Sequence, residues 1–363
     1  MEASAINAIA TRITQEWVQQ LRQRGRDIPS TIHITPNEHM LVVQLTLMWA
    51  TLDLRHLTIP KAIKEQSFLD ELRMYSRRVL RYEDKELLDR ALEVIPVHRF
   101  YEEAAEKPNA PLDDEVIRRL LHWFKNDFFT WINQPPCDFC GASETQSAGT
   151  ADPSEDDRRW GARIVELYKC TKCRKVTRFA RYNDPGKLLE TRRGRCGEWA
   201  NCFTLCCRAI GSEARLVLDK TDHVWTEIYS ENKQRWVHCD PAEEAFDQPM
   251  LYTVGWGKKL TYCIGFSCDE AVDVTKRYTK DWSQVLERRN LVDENVLAKF
   301  LDDLSAERQK DLPQERKAIL KERRMREKKE LDETTPGIKE SETVGRQSGL
   351  FPKWKKARGE YRG

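Results

Sequence analysis

Two Cys-x-x-Cys pairs, Cys137-Asp-Phe-Cys140 and Cys170-Thr-Lys-Cys173, stand 29 residues apart, and they limit the possible folds more than any other feature of the chain. Each pair can wrap one edge of a tetrahedral ion. Four thiolates then fill every position of a structural zinc and leave none open to substrate. The spacing exceeds that of an ordinary zinc ribbon. The excess is the stretch Gly141 to Trp160, rich in Ser, Thr, Ala and Asp, which predicts a mobile loop between the pairs. Metal binding by such a set adds directly to folding free energy, so the expected role is architectural. Lys169, Lys172, Arg174, Lys175, Arg178 and Arg181 cluster around the second pair, which leaves open a ribbon that grips nucleic acid. The chain as a whole has 61 Lys+Arg against 59 Asp+Glu and a net charge of +2, which rules out a basic nucleic-acid coat.

Eleven cysteines are an odd number for a disulfide framework, and Cys202, Cys206 and Cys207 sit within apolar runs where a reduced thiol behaves as a small hydrophobe. A reducing compartment, cytoplasm or nucleus, is expected. The best apolar stretch, Met40 to Leu54, is interrupted by Gln44, Thr46, Thr51 and Asp53, so no membrane span is predicted. The Met-Glu-Ala-Ser start lacks a secretory pattern.

Residues 1–110 read as a helical region, with Ile6, Ile9, Ile13 and Trp17 at helix spacing and Pro29, Pro36 and Pro60 as breaks. From Leu112 to Asn133 a second helical stripe runs through Val116, Leu120, Trp123, Phe124, Phe128 and Trp131. Ala214–Leu218, His223–Tyr229 and Arg235–Cys239 are short β-rich runs separated by turn sequences, so they predict adjacent antiparallel strands. A helix before them starts near Cys196, shows Ala200, Phe203, Cys207 and Ile210 on one face, and stops at Gly211. The core is expected over 111–285 and C-terminal helices over 286–330. Residues 306–330 carry ten Lys/Arg against six Asp/Glu with almost no apolar face, which predicts a solvated helix. Residues 331–363 read as a disordered tail. The fold class is α+β.

Arg195-Cys196-Gly197-Glu198 places a cysteine in the first turn of that helix. Unpaired N–H groups, the dipole and the Arg195 charge there favour thiolate. Downstream, His223 opens one strand and Asp240 closes the next, and an antiparallel pair joined by a short turn brings those two ends side by side. A carboxylate holding one imidazole nitrogen leaves the other to draw the thiol proton. His238 competes as the base. It shares Asp240's strand face, and its spacing suits a satisfied neighbour better.

At these residues the chain resembles the cytoplasmic peptide:N-glycanases, amidases of the transglutaminase-like superfamily of papain-type cysteine enzymes. The resemblance runs from Leu112 to Tyr278 through Trp123-Phe-Lys-Asn-Asp-Phe-Phe-Thr-Trp131, both cysteine pairs, Arg178-Phe-Ala-Arg-Tyr-Asn-Asp-Pro185, Leu188-Leu-Glu-Thr-Arg-Arg-Gly-Arg-Cys-Gly-Glu-Trp199, Asp222-His-Val-Trp225 and Phe246-Asp-Gln-Pro249. It implies a transglutaminase-like core with an antiparallel sheet, an inserted four-cysteine zinc site and flanking helices. It also implies Cys196 as nucleophile, His223 as base and acid, and Asp240 as the orienting carboxylate. The implied reaction is hydrolysis of the amide between N-acetylglucosamine and asparagine on misfolded glycoproteins. Trp225, Trp236 and Trp256 would stack on sugar rings, and Glu227, Glu243 and Lys258 would bond sugar hydroxyls or acetamido groups. The minimal fungal form is the nearer likeness, and it implies a ubiquitin-binding proteasome shuttle protein docked on N- and C-terminal helices. The alternatives are a catalytically silent scaffold of the same fold, a binder of the DNA-repair type, and a protease or transglutaminase on the same triad.

Overall fold

The helix that opens at Cys196 has no solvent side: every residue from Glu198 to Cys207 is buried. A helix apolar around most of its circumference belongs at the centre of a fold, so the single packing face expected from the sequence is replaced by burial all round. The computed structural model describes residues 61–107, 110–333 and 337–349. The site lies in the compact unit 65–363. Ile6, Ile9, Ile13, Trp17 and the stretch Met40–Leu54 fall outside the described residues. Among the described residues no helix is long and apolar enough to cross a membrane.

The first elements are helices, α1 (Lys61–Arg78), α2 (Lys85–Val94) and α3 (Val97–Ala105). Asp84 caps α2 by accepting the Glu86 and Leu87 N–H groups. α4 (Leu112–Trp123) runs into a π turn, Phe124–Phe128, and then the short strand β1 (Thr130–Trp131). The expected aromatic stripe is buried as far as Phe128, but its last residues are extended rather than helical.

The first cysteine pair precedes, and the second forms the β3–β4 turn of, a three-stranded antiparallel sheet made of β2 (Thr145–Ala151), β3 (Val165–Cys170) and β4 (Val176–Ala180), with the short helix α5 (Glu155–Arg159) between β2 and β3. The predicted mobile loop is therefore largely a strand and a helical turn. β2 is polar because it is an edge strand exposed along most of its length. It holds through backbone pairing with β3 and through the Thr145 hydroxyl, which donates to Pro135 O. After α6 (Pro185–Thr191), β5 (Arg193–Gly194) pairs in parallel with β1 and leads into α7 (Cys196–Ala209).

The main sheet adds β6 (Ala214–Asp219), β7 (His223–Ser230), β8 (Arg235–Asp240), β9 (Ala245–Phe246), β10 (Cys263–Phe266) and β11 (Ala271–Asp273), in the order β11-β10-β6-β7-β8-β9. The three expected antiparallel strands are present, and β10 and β11 extend the sheet beyond them. Because α7 turns at Gly211 into β6, β6 runs back along it, and β7 is antiparallel to β6 with His223 opposite Asp219. The start of α7, the start of β7 and the end of β8 therefore lie at one end of the sheet. The Thr204 and Thr226 hydroxyls, 2.8 Å apart, tie α7 to β7. The opposite face of the sheet is roofed by Leu251, Tyr252, Trp256 and Tyr278.

α8 (Trp282–Arg288), α9 (Glu294–Gln309) and α10 (Gln314–Glu333) follow. The basic stretch expected to be solvated is docked. Arg316 pairs with Glu213 and Asp269, Arg323 with Glu213 and Glu231, and Glu327 with Arg215 and Arg277. Without an apolar face, α10 attaches by buried ion pairs, which an apolar-periodicity reading cannot detect. Residues 337–349, within the stretch read as disordered, carry a 3-10 turn at Glu340–Thr343 with Glu342 fully buried. A charged composition hides an anchored carboxylate.

Candidate active site

The four sulfurs of Cys137, Cys140, Cys170 and Cys173 lie within 4.8 Å of one another. Cys137–Cys173 and Cys140–Cys170 are separated by 3.4 and 3.6 Å, close to the roughly 3.8 Å edge of a tetrahedron with metal–sulfur bonds of about 2.3 Å. Each pair forms the same knuckle. The residue after the second cysteine, Gly141 or Arg174, has a positive φ of 70° or 66°, and Gly141 N–H and Arg174 N–H return to the carbonyls of Cys137 and Cys170. Burial opposes ionisation of Cys137, yet the Phe139 and Cys140 N–H groups draw its thiol down to about 6. The donor set and the matched knuckles fit a divalent ion with an all-thiolate preference.

The four-cysteine cluster joins α7 through charge. Arg195 sends its guanidinium to Glu166 on β3 at 2.6 and 2.7 Å and also donates to the Tyr168 hydroxyl. Arg181 bridges Glu166 at 2.9 Å and Glu198 at 2.6 and 2.8 Å, and Glu198 Oε2 accepts the Arg195 N–H. Glu166 is held near 2, because these charges and hydrogen bonds outweigh its burial. Arg195, expected to support a Cys196 thiolate, is ion-paired with Glu166, which offsets its charge. Cys196 itself is partly exposed. Burial pushes its thiol up, opposed by the Arg346 guanidinium and reinforced by Asp222 and Glu198. Arg178 and Arg181, counted in the basic cluster around the second cysteine pair, are likewise matched by Asp157, Glu166 and Glu198.

His223 and Asp240 touch as the strand spacing predicts, Nε2 to Oδ2 at 2.7 Å, and both are fully buried. The register Thr226↔Cys239 sets Asp240 diagonal to His223. Asp240 Oδ1 accepts the Ala242 N–H, and Oδ2 accepts the Tyr252 hydroxyl at 2.9 Å. Tyr252 in turn lies 2.7 Å from His238 Nε2, while His238 Nδ1 faces the Gln248 N–H. That N–H makes Nδ1 the acceptor and puts the His238 proton on Nε2. Burial drives His238 down to about 4, so it is a neutral support and not a base at neutral pH.

The six residues suggested for sugar contacts divide. Trp225 and Glu227 do share His223's face, as alternation requires, but that face is roofed. Trp225 stacks on Tyr252 at 4.3 Å and donates to the Tyr278 hydroxyl. Glu227 is buried in an ion cluster with Arg215, Arg277 and Tyr278, which hold it near 2 against its burial. Trp236 lies under the Arg215 guanidinium at 4.1 Å, and the Lys258 ammonium is buried against Asp219 at 2.5 Å. These four are packing and ion-pair groups. Trp256 borders the site, its ring 5.0 Å from that of His223. Glu243 is occupied by the backbone of residues 347 and 348.

The transglutaminase-like superfamily profile matches residues 144–241, and that of the Rad4 transglutaminase-like domain matches residues 218–333. The peptide-N(4)-(N-acetyl-beta-glucosaminyl)asparagine amidase of Yarrowia lipolytica is 40% identical over 287 residues, covering 77% of this chain and 80% of that protein. The chain belongs to this amidase family. The amidases of Gallus gallus and Homo sapiens are 46% and 45% identical over 78% and 82% of this chain, which spans 44% and 46% of their lengths. Sequence reasoning missed two residues of this candidate site. Tyr252 stands between Asp240 and His238, and its signal was an aromatic flanked by apolar Leu251. Arg346 is buried beside Trp256 from within the presumed tail, where no sequence signal pointed to it.

Proposed function

We propose that this chain hydrolyses the amide joining N-acetylglucosamine to an asparagine side chain, with Cys196 as nucleophile, His223 as general base and acid, and Asp240 as orienting carboxylate. Cys196 enters as a thiol. Its proton passes to the His223 Nδ1 as sulfur attacks the side-chain carbonyl carbon. The imidazolium then protonates the departing glycosylamine nitrogen as the C–N bond breaks, leaving a thioester on Cys196. Water, deprotonated by His223, cleaves that thioester to give aspartate and the free thiol. The reaction is an acyl transfer, so it needs no pair of carboxylates around a sugar cation. Asp240 holds Nε2, which fixes the tautomer that presents Nδ1.

The observation that carries this reading is the buried 2.7 Å His223–Asp240 hydrogen bond at the sheet end that also receives the start of α7, in a chain of this amidase family. Zinc is the ion proposed for Cys137, Cys140, Cys170 and Cys173. It would stiffen the β2–β4 sheet, and no step of the reaction passes through it. We further propose misfolded N-glycoproteins leaving the endoplasmic reticulum as substrates, the cytoplasm with the nucleus as location, 111–285 as the catalytic core, and a ubiquitin-binding proteasome shuttle protein as a partner of the terminal helices.

Incubating the chain with a denatured high-mannose glycoprotein and reading glycosylation sites by mass spectrometry tests the reaction. Asparagine converted to aspartate by the natural chain and not by Cys196→Ala is expected. Conversion by neither, beside an active control enzyme, returns the silent scaffold to first place.

A further inference from the structure

Residues 339–349 run across the end of the sheet where His223 and Asp240 lie, held at several separate points. The anchor is Glu342, fully buried, with Oε1 accepting the Met250 N–H at 2.9 Å and Oε2 the Lys339 N–H at 2.7 Å. Burying a carboxylate is costly unless hydrogen bonds replace its water, so this docking is specific. The neighbouring backbone is pressed against Gly255, where an added Cβ would stand 2.3 Å from Val344 O. Lys339 reaches the Asp247 carbonyl. Further along, Glu243 Oε2 accepts the Gln347 N–H at 2.8 Å and Oε1 the Ser348 N–H at 2.9 Å. Between these points the Arg346 guanidinium, 3% exposed, lies 4.6 Å over the Trp256 ring and 6.0 Å from that of Trp131. The segment therefore covers Glu243, and its Arg346 closes over Trp256, which otherwise packs against His223 and Tyr252 in the roof of the sheet.

We propose that residues 339–349 are a built-in occupant of the cleft that an extended polypeptide substrate takes, competing with it for Glu243 and Trp256. The substrate part of this inference rests on the amidase reading above. An extended chain is the right class of competitor, because the segment binds Glu243 through consecutive backbone N–H groups, donors that any unfolded polypeptide offers. The Arg346 charge bears on both the Cys196 thiol and the Asp240 carboxylate, and leaving the cleft withdraws it from both.

Two altered chains test this: one ending at Glu333, and a full-length form with Gln347→Pro and Ser348→Pro, which removes both N–H donors and keeps the Glu342 anchor. The first readout needs no substrate. If the segment is docked nine-tenths of the time, a labelled synthetic peptide of residues 337–349 should bind the truncated form about tenfold more tightly than the natural chain. In the double-proline form KM for a denatured glycopeptide should fall about tenfold at unchanged kcat. Equal or weaker peptide binding by the folded truncated form overturns the proposal whatever the activity, and an unchanged or raised KM in the double-proline form overturns the competition. Tighter peptide binding with no conversion of asparagine by any form means that the occupant is real and the amidase reading has failed.

Discussion

Tyr252 donates to Asp240 Oδ2 at 2.9 Å and accepts from His238 Nε2 at 2.7 Å, so the carboxylate that orients His223 is itself held by a neutral histidine through one phenol. All four side chains are buried, and each donor has one acceptor. Such a chain fixes Asp240 in position and keeps its second oxygen from turning away from the imidazole.

Tyr252→Phe keeps the ring stacked on Trp225 and removes the relay. Misplacing the imidazole by a fraction of an ångström should lower kcat between about tenfold and a hundredfold, with KM little changed. Steady-state kinetics on a denatured glycopeptide checks this. Loss of stability alone would leave kcat per folded molecule untouched.

His238, held near 4 by burial, makes folding depend on pH. Its folded value lies below the ordinary value of about 6.5. The unfolded chain therefore binds more protons between pH 6.5 and 4, and stability falls as pH drops through that window, by about 2–3 kcal/mol at pH 4.5. Glu270, raised to about 7 by burial, acts in the opposite direction over overlapping pH. The test is thus the difference between the natural chain and His238→Gln in denaturant unfolding at pH 7 and pH 4.5. A pH-independent difference would remove the assignment.

Metal loss should reach Cys196 through Glu166. Cys170→Ser should abolish bound metal, loosen β3 and release Arg195 from Glu166, lowering activity although these cysteines take no part in the proposed reaction. Glu166→Gln should keep the metal, lose about 2–3 kcal/mol because Arg195 and Arg181 are left half-matched, and lower kcat. Metal analysis beside kinetics separates the two variants. Full activity in Glu166→Gln would break the link.

Glu327 is 4% exposed and bridges Arg215 and Arg277. Glu327→Ala would leave the buried Arg215 and Arg277 guanidinium groups with only Glu227 and, for Arg277, the part-exposed Glu330, and should cost about 3–5 kcal/mol. Hydrogen exchange should show α10 opening first. Because these pairs are buried, added salt should change the natural chain's stability little.

What could be read directly followed from short spacings. Cys137, Cys140, Cys170 and Cys173 mark their own cluster, because two residues between thiols suffice for a metal knuckle. Cys196 at a helix start and the strand ends His223 and Asp240 follow from periodicity and a short turn, which set geometry within a few residues. Trp225 and Glu227 were placed on the correct face and still given the wrong setting, since alternation names a side of a sheet and says nothing of what roofs it. Whether Arg195 faces Cys196 or Glu166, whether α10 floats or docks, and whether residues 337–349 hang free or cover Glu243 depend on charges brought together from parts of the chain tens to more than a hundred residues apart. Local sequence determined which groups can react or bind metal. Tertiary structure decided which of them are already matched, because burial and ion pairing are properties of neighbours that only the folded chain supplies.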